Sequence, residues 1–170
     1  MYTITYSFQG YQNYEPYRKK LAALCEKAFI EHNPYFMIAI NEAVCNAFKY
    51  HKLGPREGSV SIQVRLSESD ITVIVRADTH AFDMKDFQKR MRALLKNKKT
   101  SAMEWGDYTD DTDRSRGFWY MLQAVDYLIA ESDCSSVTLS EHIPYSNLPL
   151  DTHIEYLVPK LMVRTNGVIA

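Results

Sequence analysis

The sequence predicts an α+β domain: a two-layer sandwich in which one mostly antiparallel, mixed sheet carries its helices on a single face. Two kinds of periodicity indicate this fold. Apolar and polar residues alternate in several short segments, as in half-buried strands, whereas apolar residues recur at helical spacing in others. The elements follow in the order β-α-α-β-β-α-loop-α-β. Strands and helices in this order are typical of a sheet covered on one side.

The N-terminal part of the chain predicts one strand and two helices. The strand covers Tyr2–Phe8, where every second residue is apolar. The first helix runs from Glu15 to Glu31. The second helix starts at Pro34 behind the N-cap Asn33, and Gly54 ends it.

A hairpin and a third helix follow. Alternation predicts strands over Val60–Leu66 and Ile71–Val75. Asp83 is a candidate N-cap for a helix over Met84–Leu95. The basic run Lys96-Asn-Lys-Lys99 suits a solvated helix end, and less often such a run holds a nucleotide or a partner.

The C-terminal part is less regular. Thr100–Arg116 shows neither period, which predicts a long mobile loop. We expect a last helix over Phe118–Ile129 and a strand over Ser136–Ser140. His153–Val158 could form an additional edge strand before a loose tail.

Length and charge exclude several classes of protein. The chain has 170 residues, which we divide into a domain over 1–142 and a C-terminal extension over 143–170. Its 20 basic residues balance 21 acidic ones, which argues against direct binding to nucleic acid or to an anionic membrane. Neither a spanning helix nor a secretory leader is apparent, so we expect a cytoplasmic protein. The three cysteines lie far apart, which favours reduced thiols over a disulfide framework or a zinc site.

Glu42 and Asn46 are the candidate chemical residues. They are four positions apart in the second predicted helix and therefore share one face. A carboxylate can take a proton from an attacking hydroxyl, and an amide oxygen can help to hold Mg²⁺. The residues alone leave open the alternative that this pair is a solvated helix face.

The pattern Glu42-Ala-Val-x-Asn46-Ala, on a second helix followed by a hairpin, resembles the N-box of the GHKL ATPase superfamily. The resemblance is closest to the bacterial anti-sigma-factor serine kinases, and the element order matches over roughly residues 2 to 142. It implies the histidine kinase-like ATPase fold, with ATP and Mg²⁺ as cofactors. It also implies that Glu42 is the general base and that Asn46 binds Mg²⁺.

The segment after the hairpin is similar to the second motif of that family, Asp-x-Gly-x-Gly-Phe-Asp. Here it reads Ala77-Asp-Thr-His-Ala-Phe-Asp83, with Thr79 and Ala81 in place of the glycines. Asp78 stands one residue out of register. The resemblance implies that Asp78 accepts a hydrogen bond from the adenine amino group.

Arg114-Ser-Arg-Gly-Phe118 is similar to the end of the family's glycine-rich lid. The resemblance implies that Arg116 and Gly117 contact the phosphates, through a guanidinium and through backbone amides at a helix N-terminus. The residues also fit a simpler reading, in which Gly117 only ends a loop and the arginines pair with the aspartates of that loop.

Two functional hypotheses follow. The first is a bacterial regulatory protein that binds ATP and Mg²⁺ and could phosphorylate a serine of a partner, either a sigma factor or an anti-anti-sigma-like protein. The second keeps the fold but not the nucleotide, and leaves a pseudo-ATPase that acts as a protein–protein interaction module. The missing glycines favour the second hypothesis, and the Glu42/Asn46 pair favours the first. A homodimer is compatible with either.

Overall fold

A computed structural model describes residues 1–28, 34–109, 116–143 and 150–169, and a seven-stranded sheet forms its centre. The strands lie in the order β1-β2-β3-β5-β4-β6-β7. All neighbours pair antiparallel except β4 and β6, which are parallel. The predicted α+β class, with a mostly antiparallel mixed sheet, is therefore confirmed. The strands are β1 (Tyr2–Gln9), β2 (Ser59–Leu66), β3 (Asp70–Ala77), β4 (Tyr127–Glu131), β5 (Ser136–His142), β6 (Leu161–Thr165) and β7 (Val168–Ile169).

Helices cover one face of this sheet. On β2, Val60, Ile62 and Val64 are buried, whereas the alternate Ser61 and Arg65 retain exposure on the opposite face. The alternation therefore separates a helical layer from an open sheet face. The helices are α1 (Glu15–Ala28), α2 (Pro34–Lys49), α3 (Gly54–Glu57), α4 (Met84–Leu94), α5 (Lys98–Ser101), α6 (Trp105–Tyr108), α7 (Arg116–Gln123) and α8 (Ile154–Leu157), with 3₁₀ turns at Tyr11–Asn13 and Val158–Lys160.

The central helix is α2, which packs on β2, β3 and β5 and against α7. Its sheet-facing stripe includes Phe36, Ile40 and Val44, each with no exposed surface. Burying a side chain of this size contributes roughly 1.5–3 kcal/mol. This stripe fixes the rotation of α2 and leaves Glu42 and Asn46 partly exposed on another side.

Several predicted elements are confirmed. The first strand, the hairpin and the helix after Asp83 all form, and Asp83 caps α4 by accepting a hydrogen bond from the Asp86 amide at 2.9 Å. The helix that starts at Glu15 is observed to Ala28. Its expected end at Glu31 and the N-cap Asn33 lie outside the described residues.

The predicted helix over Phe118–Ile129 is wrong in its second half. The helix ends at Gln123, and the chain turns into β4 at Tyr127. Leu128, Ile129 and Ala130 are all buried in the sheet. A short apolar run of this kind has the same pattern in a buried strand as in a buried helix, which is why periodicity extended the helix.

The predicted edge strand over His153–Val158 is also wrong. The segment forms α8 and a 3₁₀ turn, and the added strands are β6 and β7. Ile154, Leu157, Val158 and Leu161 are buried at spacings of three, four and seven, which is a helical pattern.

The predicted loop over Thr100–Arg116 is more ordered than expected in its first part. Residues up to 109 include α6 and the end of α5, and Trp105 is buried against Trp119 with parallel rings 6.4 Å apart. The Trp105 amide donates to the Thr152 carbonyl, which ties this segment to the C-terminal residues. Residues 110–115 lie outside the described part.

Candidate functional site

Glu42, Asn46 and Gly117 come together where α2 meets the first turn of α7. A methyl group built on Gly117 would lie 2.9 Å from Glu42 Oε2 and 3.4 Å from Asn46 Nδ2. The glycine therefore lets the start of α7 approach both polar side chains. The structure brings together three of the five predicted site residues. Gly117 on α7 follows the two residues on α2 by 71 positions or more.

The position of Glu42 has an electrostatic consequence. The N-terminus of a helix carries partial positive charge from unpaired backbone amides, and an anion beside it is stabilised. The Glu42 carboxylate lies against this end of α7. A bound phosphate would be stabilised at the same helix end.

A cavity of about 430 Å³ opens beside this junction. Its volume lies within the range of small-molecule sites, about 300–1,000 Å³. No carboxylate lines the cavity in the described part of the chain, and Arg90 is the charged group at its wall. The lining residues come from α2 (Ala43, Asn46, Ala47, Tyr50), β3 and the segment after it (Val75, Ala77, Thr79, His80, Ala81, Phe82), α4 (Phe87, Arg90), α7 (Phe118, Met121) and the start of β5 with its preceding turn (Cys134, Ser135, Val137).

Aromatic rings form one side of the cavity. Phe87 lies 5.9 Å from Phe82 and 5.0 Å from Phe118, measured between ring centroids. The Arg90 guanidinium lies 5.8 Å from the Phe87 ring, and its Nε is 3.1 Å from an Asp86 carboxylate oxygen. Flat apolar walls beside a cation suit a planar, anionic ligand.

Asp78 lies away from this cavity. Its carboxylate is 2.5 Å from Lys52 Nζ, and both side chains are more than half exposed. Asp78 lies at the end of its strand, on the side of the open sheet face. Main-chain bonds hold the segment in place, since the Lys52 amide donates to the Asp78 carbonyl and the His80 amide to the Tyr50 carbonyl. The adenine contact predicted for Asp78 therefore has no geometric counterpart at the cavity.

Arg116 is the first residue of α7, next to Gly117, but it does not line the cavity. Its guanidinium carbon lies 6.0 Å from the centroid of the Trp105 ring. The predicted phosphate contact of Arg116 remains a prediction.

His51 supports the turn between α2 and β2, a role that no motif or spacing in the chain predicted. The imidazole is 5% exposed, and its two ring nitrogens face the backbone amides of Leu53 and Ser59 at 3.1 and 3.2 Å. Gly58 packs directly on the ring, because a methyl group there would lie 2.5 Å from His51 Cγ. This turn sets the end of α2, where Tyr50 enters the cavity wall.

The cysteines near the site are thiols, as predicted. All three are free, and burial raises the pKa of Cys134 in the cavity wall to about 11 and that of Cys25 to about 12. Cys45, on α2, lies 3.3 Å from the Tyr11 hydroxyl, and this hydrogen bond raises the pKa of Tyr11. Cys25, Cys134 and Tyr11 are therefore neutral near pH 7.

No model of a known protein family matches the chain, and no curated protein matches it significantly. In the described part of the chain, every helix is too short or too polar to cross a bilayer.

Proposed function

We propose that the chain is a regulatory nucleotide-binding protein of the GHKL type, which binds ATP with Mg²⁺ in the cavity between α2, α4 and α7. One observation carries the proposal: the first turn of α7 approaches Glu42 and Asn46 through Gly117, at the edge of a cavity that Asn46 itself lines. The resemblance of the α2 motif to the GHKL N-box names the same residues.

The residues at the junction fit a magnesium nucleotide. Mg²⁺ prefers oxygen ligands, amide and phosphate oxygens among them, and Asn46 supplies the amide. The first turn of α7 carries no Cβ at Gly117, so a phosphate could approach its backbone once the Glu42 carboxylate moves aside. Bound Mg²⁺ would neutralise phosphate charge and orient the terminal phosphate.

The roles of the side chains follow from their positions. Asn46 would hold the metal, and Gly117 with Arg116 would hold the phosphates. Glu42, displaced from the end of α7 by the phosphates, would accept the proton of an attacking serine hydroxyl. For Asp78 to contact adenine, its ion pair with Lys52 has to open. The partner would be a sigma factor or an anti-anti-sigma-like protein.

A pseudo-ATPase that acts as an interaction module is the second candidate, and two observations favour it. Asp78 is engaged by Lys52 outside the cavity. Glu42 already lies where a phosphate would bind. In this state the partial positive charge at the start of α7 already faces an anionic group, the Glu42 carboxylate, without a nucleotide.

Calorimetric titration with ATP and Mg²⁺ distinguishes the two candidates. We expect binding in the micromolar range, weakened about tenfold or more by Asn46→Ala because a metal ligand is lost. Gln63→Ala, on the open face of the sheet, is the matched polar control and should bind like the wild type. Tryptophan fluorescence is an independent readout, since Trp119 lies on α7 and Trp105 packs on it.

Glu42→Gln separates binding from catalysis. The amide keeps the shape of the side chain but cannot accept a proton, so the variant should bind ATP and lose phosphotransfer. Absence of binding heat and of any fluorescence change at about millimolar ATP would overturn the nucleotide proposal and favour the interaction module.

A further inference from the structure

The charge of the chain is unevenly distributed. Residues 85–99 contain seven of the 20 basic residues and a single acidic residue, Asp86. The rest of the chain consequently holds 13 basic and 20 acidic residues. A strongly positive segment therefore lies on a protein whose remaining surface is net negative.

Six of these cations are exposed, and we call them together the basic face: Lys85, Lys89, Arg92, Lys96, Lys98 and Lys99. On α4 the first three are spaced by four and three residues, so their side chains share one side of the helix. The row on α4 is about 10 Å long at 1.5 Å per residue, and Lys96 follows just after the helix ends. Arg90 points elsewhere, toward Phe87 and the cavity.

The basic face has no internal partner. Among the described residues, the ion pair on α4 joins Arg90 to Asp86, and none of the six cations of the basic face lies within ion-pair distance of a carboxylate. Cations at this spacing repel one another, and the repulsion is relieved when an anionic surface binds.

We propose that the basic face binds an acidic segment of a partner protein. A row of cations along about two helical turns matches carboxylates at similar spacing on a partner helix or strand, and such complementarity sets specificity and association rate. A nucleic acid is negative along its whole length and would meet the net negative remainder of this surface. The exposed positions between Lys85 and Lys99 also hold no aromatic side chain on which a base could stack.

The location of the basic face connects it to the cavity. Phe87 and Arg90 of the same helix belong to the cavity wall, so a partner on the basic face would contact a helix that also lines the cavity. Only the relation between the basic face and a nucleotide in the cavity rests on the proposed function. The charge argument holds with or without a bound nucleotide, and the experiment is accordingly done without ATP.

Fluorescently labelled poly-L-glutamate is the probe, titrated with the full chain and followed by anisotropy. We compare the wild type with a variant that carries Lys85→Gln, Lys89→Gln, Arg92→Gln and Lys96→Gln. We expect the wild type to bind, the affinity to fall as salt rises, and the variant to bind at least about tenfold more weakly. Circular dichroism checks that the variant is folded, as exposed polar substitutions should allow.

A charge-matched control separates this face from the overall charge. Lys19→Gln, Lys27→Gln, Lys49→Gln and Arg56→Gln remove four exposed cations elsewhere and should leave binding within about twofold of the wild type. Equal losses in the two variants, or no binding by the wild type, would overturn the proposal. Tighter binding of poly-uridylate than of poly-L-glutamate would overturn it in favour of a nucleic-acid surface.

Discussion

Gly117 leaves room for the Glu42 carboxylate at the start of α7. Its φ is not positive, so alanine needs no strained backbone, and the added methyl would lie close to the ends of two flexible side chains, 2.9 Å from Glu42 Oε2 and 3.4 Å from Asn46 Nδ2. We expect Gly117→Ala to keep the free energy of unfolding, or to raise it by up to about 1 kcal/mol, as this change does within helices. It should nevertheless weaken ATP binding. Chemical denaturation and calorimetry test the two parts.

Gly58→Ala is the control for this substitution. Gly58 also has a negative φ, of −62°, but a methyl group there would lie 2.5 Å from His51 Cγ and 2.8 Å from the Gly54 carbonyl oxygen. The buried ring and the backbone cannot withdraw, so we expect a loss of about 1–3 kcal/mol. A loss of the same size in Gly117→Ala would show that Glu42 is held rigidly and would contradict the prediction.

At the scale of residues, a separation of four predicted that Glu42 and Asn46 share one helix face, and the resemblance of their motif to the N-box made them the candidate site residues. Spacing could not find the cavity wall. His80, Arg90 and Phe118 come from three segments that meet only in the folded chain. The ion pair that holds Asp78 joins it to Lys52, 26 positions earlier, and leaves no signal in the local pattern.

At the scale of elements, Lys160 connects the C-terminal segment to α7. Its ammonium group donates to the Leu122 and Val125 carbonyls at 3.2 and 2.8 Å, where α7 ends. A cation at this end also interacts favourably with the helix dipole. We expect Lys160→Met to lower the free energy of unfolding by about 1–3 kcal/mol, since it leaves carbonyls without their donor. Hydrogen exchange should rise in α7 and stay unchanged in α1.

Lys19→Met is the matched control, because Lys19 is 75% exposed on α1 and its ion pair with Glu15 is long, at 3.8 Å. It should change stability by less than about 0.5 kcal/mol. If Lys160→Met were equally mild and left α7 exchange unchanged, α7 would not depend on the C-terminal segment.

The elements that the sequence predicted correctly are those whose pattern has one interpretation. Strict alternation in β2 and β3 and the capped stripe of α4 belong to this group. The errors fall on short apolar segments. Leu128 and Ile129 continued a helical pattern into β4, and His153–Val158 was assigned to a strand although its buried residues Ile154, Leu157 and Val158 repeat at helical spacing. Tertiary contacts decide such segments.

At the scale of the whole molecule, the fold brings charged residues from three separate parts of the chain close to one buried carboxyl group, that of Glu141. Glu141 on β5 is 8% exposed, and Asp126, Lys160 and His142 are the charged groups around it. Burial, followed by the nearby Asp126 carboxylate, raises the pKa of Glu141 to about 7. A hydrogen bond with Asp126 raises the pKa of the exposed His142. Both groups therefore hold protons more tightly in the folded state than in the unfolded chain.

This difference predicts that stability falls as pH rises. The folded state binds more protons than the unfolded state between the ordinary pKa of Glu141, 4.5, and its folded pKa of about 7. The contribution is fully present below this window and lost above it, by up to about 3 kcal/mol. Glu141→Gln removes the titration, so denaturation should show the variant gaining stability over the wild type at about pH 8 relative to about pH 5. The exposed Glu155→Gln is the control, and an equal gain there would contradict a buried origin.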